Sequence, residues 1–141
     1  ESVIIADGRR ENVIDAILAG EDVGTLFLAR GQMVPAWKRW IGFTVRPTGR
    51  FLLDTGARRA IESNGGSLLA IGITAVEGDF PEGEVVSLVD ASGTEFARGL
   101  TNYDADTARK IAGCRTDRIT ELLGHLPYSE VVHRDNLVVT A

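Results

Sequence analysis

Apolar residues fall into short runs along most of this chain, and in only a few places do they recur at the spacing of a helix. Val3-Ile4-Ile5-Ala6 is a brief apolar run closed by Asp7-Gly8, which predicts a buried strand entering a turn. Val13, Ile14, Ile17 and Leu18 follow at helical spacing, and Gly20 is the expected stop. A strand and a helix in so short a stretch form the edge of an α/β unit, and alone they cannot bury their own faces.

Gly31 to Arg50 holds Pro35, Pro47 and both tryptophans, Trp37 and Trp40, and predicts a linker with one strand near Trp37 to Phe43. Arg50 to Asp54 predicts a short strand around Phe51-Leu52-Leu53. Thr55 to Asn64 predicts a helix capped by Asp54 or Thr55, with Ala57, Ala60 and Ile61 on its inner face. Asn64-Gly65-Gly66 supplies the left-handed exit. Three strands are expected next: a buried one over Ser67 to Val76, then Glu84 to Val89 and Glu95 to Thr101 around the hairpin turn Asp90-Ala91-Ser92-Gly93. Asp104 is the expected cap of a helix ending at Ala112 and Gly113. Thr116 is the expected cap of another, with Ile119, Leu122 and Leu123 as its apolar stripe and Gly124 as its end. Leu137 to Val139 closes the series as a short strand. The fold class this gives is mainly β (α+β), with short mixed strands and small flanking helices.

Composition narrows the class. The 141 residues suit one ordinary domain with a real core, and 44% hydrophobic with 25% charged residues is the balance of a soluble globular protein. Sixteen glycines fit many tight turns. The longest apolar run, Leu68 to Val76, falls short of the roughly 20 residues of a membrane span, so no membrane partner is expected. With no secretory leader at Glu1 and a single cysteine, Cys114, the expected setting is cytoplasmic.

The net charge of -5 is unevenly spread. Leu26 to Ala60 carries seven basic residues against Asp54 alone, whereas Ile61 to Thr107 carries nine acids against Arg98 alone. Such a chain allows a local basic patch for nucleic acid; the bland alternative is a solvated face, or arginines paired with the acids that follow.

Few residues could carry chemistry. Gly65-Gly66-Ser67 lacks the spacing and lysine of a phosphate loop. His125, His133 and Cys114 cannot supply a four-ligand zinc site, and Cys114 reads as a structural thiol. His133-Arg134-Asp135-Asn136 lacks the spacing of a protein-kinase catalytic loop and predicts a turn in which Asp135 and Asn136 bond to backbone groups. Asp79, Glu82 and Glu84 match a calcium loop poorly and read as a solvated turn. No catalytic, cofactor-binding or metal-binding residue is assigned.

Several stretches together resemble the glutamate 5-kinase family, in its order along the chain. They are Val3-Ile4-Ile5-Ala6-Asp7-Gly8-Arg9, Val23-Gly24-Thr25-Leu26-Phe27, Lys38-Arg39-Trp40-Ile41, Asp54-Thr55-Gly56-Ala57 and Gly66-Ser67-Leu68-Leu69. They continue with Val76-Glu77-Gly78-Asp79-Phe80, Ala97-Arg98-Gly99-Leu100, Asn102-Tyr103, Ile111-Ala112-Gly113 and Val132-His133-Arg134-Asp135-Asn136-Leu137. Ala70 departs from the Pro common there in the family.

The resemblance implies the C-terminal part of such an enzyme. Residues 1–27 would be the remnant of an amino-acid-kinase domain, 28–49 a linker and first strand, and 50–141 a PUA domain, a small pseudo-barrel, with C-terminal helices. The parent would use ATP and Mg to phosphorylate the side-chain carboxylate of glutamate, the first step of proline synthesis. The groups that do this precede Val3, so this chain would be a regulatory or structural appendage without cofactors of its own. Its implied partner is the missing kinase domain. The alternative is an RNA-binding module. PUA domains elsewhere grip RNA with the first helix and the glycine turn after it, which makes Arg58, Arg59, Gly65, Gly66 and Ser67 the candidate RNA-binding residues. In the parent, the Val3–Ala6 strand would lie in a parallel sheet with both faces covered. Without those neighbours, residues 1–27 are expected to be disordered, to dock on the rest, or to self-associate with a second copy through an open edge.

Overall fold

Val3–Ala6 (β1) is a strand, as its apolar run predicts, but it is exposed and its partner lies twenty residues on in the same chain. The computed structural model describes residues 2–28 and 34–140, and the chain divides into two units, Glu1–Val34 and Pro35–Ala141. In the first unit, β1 leads through the helix Val13–Leu18 (α1) to Gly24–Phe27 (β2). β1 and β2 pair antiparallel, Val3 opposite Phe27 and Ala6 opposite Gly24. The expectation of a buried strand is therefore corrected, and β2 is a strand that sequence reading missed. Four residues opening on a glycine and holding only two apolar side chains carry almost no alternation to read. The segment is ordered as strand, helix, strand, with Ile5, Ile14 and Leu18 each more than 60% exposed.

The second unit opens with a helix where a strand was expected. Ala36–Arg39 (α2) runs directly into a π-helical turn, Trp40–Thr44. Aromatic and β-branched residues favour strands only when a pleated surface is there to pack on. Here Ile41 and Gly42 are buried instead, with Ile41 packing on Val85 and Val138 and Gly42 lying close against Val138. Pro35 precedes the first helical residue, where its missing N–H costs nothing.

Gly49–Leu53 (β3) and the helix Thr55–Asn64 (α3) follow as expected. The single buried strand expected over Ser67 to Val76 is corrected. Leu68 makes an isolated bridge to Val132, Ala70–Gly72 forms a 3₁₀ turn, and the strand proper is Ile73–Gly78 (β4), largely unburied at a sheet edge. Val85–Val89 (β5) and Glu95–Leu100 (β6) form the expected hairpin, with the Gly93 amide donating to the Asp90 carbonyl at 2.9 Å. Ala105–Ile111 (α4) is capped by Asp104, which accepts from the Thr107 amide. Thr116–Leu123 (α5) starts at Thr116, but its cap position is Arg115, with no side-chain cap bond. At the turn before Leu137–Val139 (β7), His133 rather than Asp135 or Asn136 provides the cap, its Nδ1 accepting from the Asp135 amide at 3.2 Å.

The strand order is β4-β3-β5-β6-β7, antiparallel except for the parallel pair β3–β5. This is the mainly β, α+β architecture expected, with the sheet left open rather than closed into a barrel. β5 is central and buried at every position. Val86 and Leu88 face the main core with Phe51, Phe96, Ile61, Ala108 and Ile119, so α3, α4 and α5 cover that side. Val85 faces the smaller cluster under Ile41. Among the described residues, no helix is long and apolar enough to cross a membrane.

Candidate functional site

The clearest concavity near the expected residues lies along α3. Asp54 caps this helix, its carboxylate accepting from the Ala57 amide at 2.7 Å, and Gly65 ends it in the left-handed conformation (φ 59°). The Gly66 amide then returns to the Ala60 carbonyl at 3.0 Å, which brings Ser67 alongside the helix. A groove of about 320 Å³ runs between the small residues Gly56, Ala57 and Ala60 and the chain at Ser67, Leu69 and Ile71. The helix and the Ala70–Gly72 turn approach closely because Gly72 has no side chain: a Cβ there would sit 2.4 Å from the Ala57 Cβ.

The five expected residues do not converge on this groove. Ser67 lines it, and its hydroxyl accepts from the Arg134 amide at 2.9 Å. Gly65 and Gly66 form the turn at its end. Arg59 is exposed and, among the described residues, its side chain makes no hydrogen bond or ion pair. Arg58 is engaged elsewhere. Its guanidinium meets Asp90 at 2.5 Å and Glu62 at 3.1 Å, and lies 5.2 Å over the Phe96 ring. The hydrogen bond to Glu62 raises the Arg58 pKa, against the opposing effect of burial. Asp90 is held below the usual carboxylate range, first by the Ser92 hydroxyl and then by the Thr94 amide, with Arg58 contributing. Arg58 therefore joins α3 to the β5–β6 turn. The exposed Leu69 and Ile71 at the groove were not singled out from sequence, because an unbroken apolar run gives no sign of which members face outward.

A second polar cluster joins the loops. The Tyr103 hydroxyl donates to the Tyr128 carbonyl at 2.5 Å and accepts from the Tyr128 amide, while the Tyr128 hydroxyl donates to Glu82 at 2.9 Å. Burial pushes the Tyr103 pKa up, and the Glu82 carboxylate does the same for Tyr128. Glu82, one of the three acids weighed as a cation loop, is thus a hydrogen-bond acceptor for a neighbouring loop. Cys114 is half-buried against the main core. Among the described residues, no three His, Cys, Asp or Glu side chains are placed to hold a metal ion.

Known proteins bear on both units. Over 137 residues the chain is 47% identical to the glutamate 5-kinase of Moorella thermoacetica, covering 97% of this chain and 36% of that protein. It is 48% identical to the glutamate 5-kinase of Synechococcus elongatus, at 97% and 37% coverage. The match is to the C-terminal part of these enzymes, and the chain spans little more than a third of their length. A solved PUA domain from Aeropyrum pernix K1 is 30% identical over 46% of this chain and 38% of its own, with a TM-score of 0.41. The PUA domain profile matches residues 49–123, from the first residue of β3 to the last of α5, and the chain accordingly belongs to the PUA domain family.

Proposed function

We propose that this chain is the C-terminal part of a cytoplasmic glutamate 5-kinase and acts there as a non-catalytic structural or regulatory appendage. Residues 1–27 are then the end of the kinase domain, 28–49 the connection and 50–141 the PUA domain with its terminal helices. The observation that carries this is the extent of the identity: 47–48% runs through both units, not through the PUA match alone. The parent enzyme transfers the γ-phosphoryl group of ATP to the glutamate side-chain carboxylate with Mg. That chemistry needs phosphate clamps and a metal-holding carboxylate set. Neither is built from this chain's residues: there is no phosphate loop in the sequence and no metal-holding cluster among the described residues. On this reading Mg-ATP is held by the kinase domain of the parent and not by this chain.

The test is a graft. The Moorella enzyme is truncated before its matching third, and this chain is fused in its place. Glutamate-dependent ADP release above that of the truncated enzyme supports the reading; a fusion that folds yet behaves as the truncated enzyme overturns it. In parallel, calorimetric titration of the isolated chain with Mg-ATP gives no saturable heat.

A second reading, an RNA-binding module, is favoured by the groove beside α3 and by Arg59 on the same helix, unpaired among the described residues. Filter binding of structured RNA at two salt concentrations tests it, since phosphate neutralisation makes affinity fall steeply with salt. Arg59→Glu abolishes binding on this reading; unchanged binding overturns it.

A further inference from the structure

Residues 68–72 alternate between core and solvent. Leu68, Ala70 and Gly72 are buried, whereas Leu69 and Ile71 between them are 41% and 50% exposed. The backbone that presents these two side chains is pinned from three directions. The Leu68 amide donates to the Val132 carbonyl at 2.8 Å, the Gly113 amide to the Ala70 carbonyl at 2.8 Å, and the Asp54 amide to the Gly72 carbonyl at 3.0 Å. The close approach of Gly72 to Ala57 holds the same segment against α3. Leu69 and Ile71 are thus kept in water by a rigid frame, and a partner that covers them meets little ordering cost.

Both side chains line the α3 groove, with Ala57 and Ala60 of the helix across from them. Asp54 is the one charged side chain of the lining among the described residues, and it is occupied in capping α3. The Ser67 hydroxyl is taken by the Arg134 amide, and Arg58 is turned to Asp90. A polyanion in this groove would therefore meet a carboxylate and no cation of the lining, and a small polar molecule would find both polar side chains engaged. What the lining complements is aliphatic surface.

We propose that the α3 groove is where the catalytic portion of the parent enzyme docks: an aliphatic segment from the part that this chain does not contain packs on Leu69 and Ile71. The inference rests on the reading of this chain as a C-terminal appendage, and it names the surface that couples the appendage to the rest. The larger part of the matched enzymes lies outside the match, so on that reading a body bigger than this chain is joined to it. Partners on one polypeptide face each other at effective concentrations of about a millimolar when the connection is short. A segment of the same polypeptide therefore occupies the groove ahead of a second copy or a separate protein.

The test measures access to the groove. Ile71→Cys is reacted with a maleimide in the isolated chain and in the fusion to the truncated Moorella enzyme, and the rate at residue 71 is followed by peptide mass spectrometry. Leu69→Cys repeats the measurement at the second position, and melting curves establish that each variant folds. The expected result is labelling in the fusion slowed at least about tenfold, at a ratio independent of protein concentration, as a tethered contact gives. Adding Leu69→Asp to Ile71→Cys restores fast labelling in the fusion, because a carboxylate on the aliphatic wall unseats the segment. Equal labelling rates in a fusion that releases ADP with glutamate overturn the docking and leave the appendage reading standing. A fusion without that activity overturns the reading, and the docking falls with it. Protection that survives Leu69→Asp, or that grows only with protein concentration and so marks a second copy, overturns the proposal. So does protection of the isolated chain by structured RNA, which assigns the groove to nucleic acid.

Discussion

The Arg58 guanidinium on α3 lies 2.5 Å from the Asp90 carboxylate at the β5–β6 turn, and the same side chain sits over the Phe96 ring. Its neighbour Arg59 has no such contact among the described residues. Adjacent residues of one type on one helix thus do different work. Arg58→Glu places a third negative charge beside Glu62 and Asp90 and lowers the melting temperature by several degrees, whereas Arg59→Glu leaves it unchanged within about one degree, as exposed charges do. Thermal denaturation followed by circular dichroism distinguishes the two; equal melting temperatures would show that the Arg58 contacts contribute nothing.

Asp90 gives this region an acid limit. Its folded-state pKa is depressed, first by the Ser92 hydroxyl, so the stability it contributes is present above the unfolded carboxylate value of about 3.9 and is lost as pH falls through the lower folded value. Melting temperatures measured from about pH 6 downward fall off below about pH 4. Asp90→Asn has a lower plateau and a shallower acid limb. A variant whose acid limb is as steep as the parent's removes Asp90 from the account.

Gly72 sets the distance between α3 and the 3₁₀ turn. Gly72→Ala drives a methyl to 2.4 Å from the Ala57 Cβ and costs about 1–3 kcal/mol in urea denaturation. Ala57→Gly in the same chain recovers part of that loss despite its own helix penalty of about 1 kcal/mol. No recovery in the double variant would show that the strain lies elsewhere.

Ile41 tests whether the α2 segment is a layer of the domain or a linker over it. Ile41→Ala removes a fully buried side chain and costs about 2–5 kcal/mol, measured by chemical denaturation. Trp40→Ala, on the exposed face, costs much less. If both are mild, the helix is loosely held.

Deleting residues 1–34 leaves a cooperatively folding Pro35–Ala141 unit of equal or better solubility, because the deleted piece carries exposed Val3, Ile5, Ile14 and Leu18. Size-exclusion and a melting curve suffice to check it. A deletion product that unfolds would show that the units depend on each other.

Much of the second unit was legible because local chemistry and tertiary packing agree there. Asp54 and Asp104 cap the helices they precede, Gly65 and Gly124 end theirs, and the Asp90–Gly93 turn joins the strands it predicts. The misreadings fall where packing decides. Trp37 to Phe43 has strand-like composition, but Ile41 has a sheet face to cover, and a helix does that. Ser67 to Val76 is mostly apolar and reads as one strand despite Gly72, whereas the turn at Ala70–Gly72 answers to the proximity of Ala57. The candidate site was legible only in part. The helix and its glycine exit are where the sequence places them, but the pairing of Arg58 with an acid 32 positions away is a property of the fold.

The Ile41–Val85–Val138 cluster brings together residues from the beginning, middle and end of the second unit. During synthesis, Ile41 and Val85 emerge from the ribosome well before Val138, and until β7 is released the back of the sheet lacks its third member. A growing chain therefore carries an incomplete apolar face until Val138 has left the ribosome. Truncation shortly before Leu137 leaves Ile41 and Val85 without Val138 and keeps that opening for chaperones and proteases, so β7 acts as a check on the folding of the whole unit.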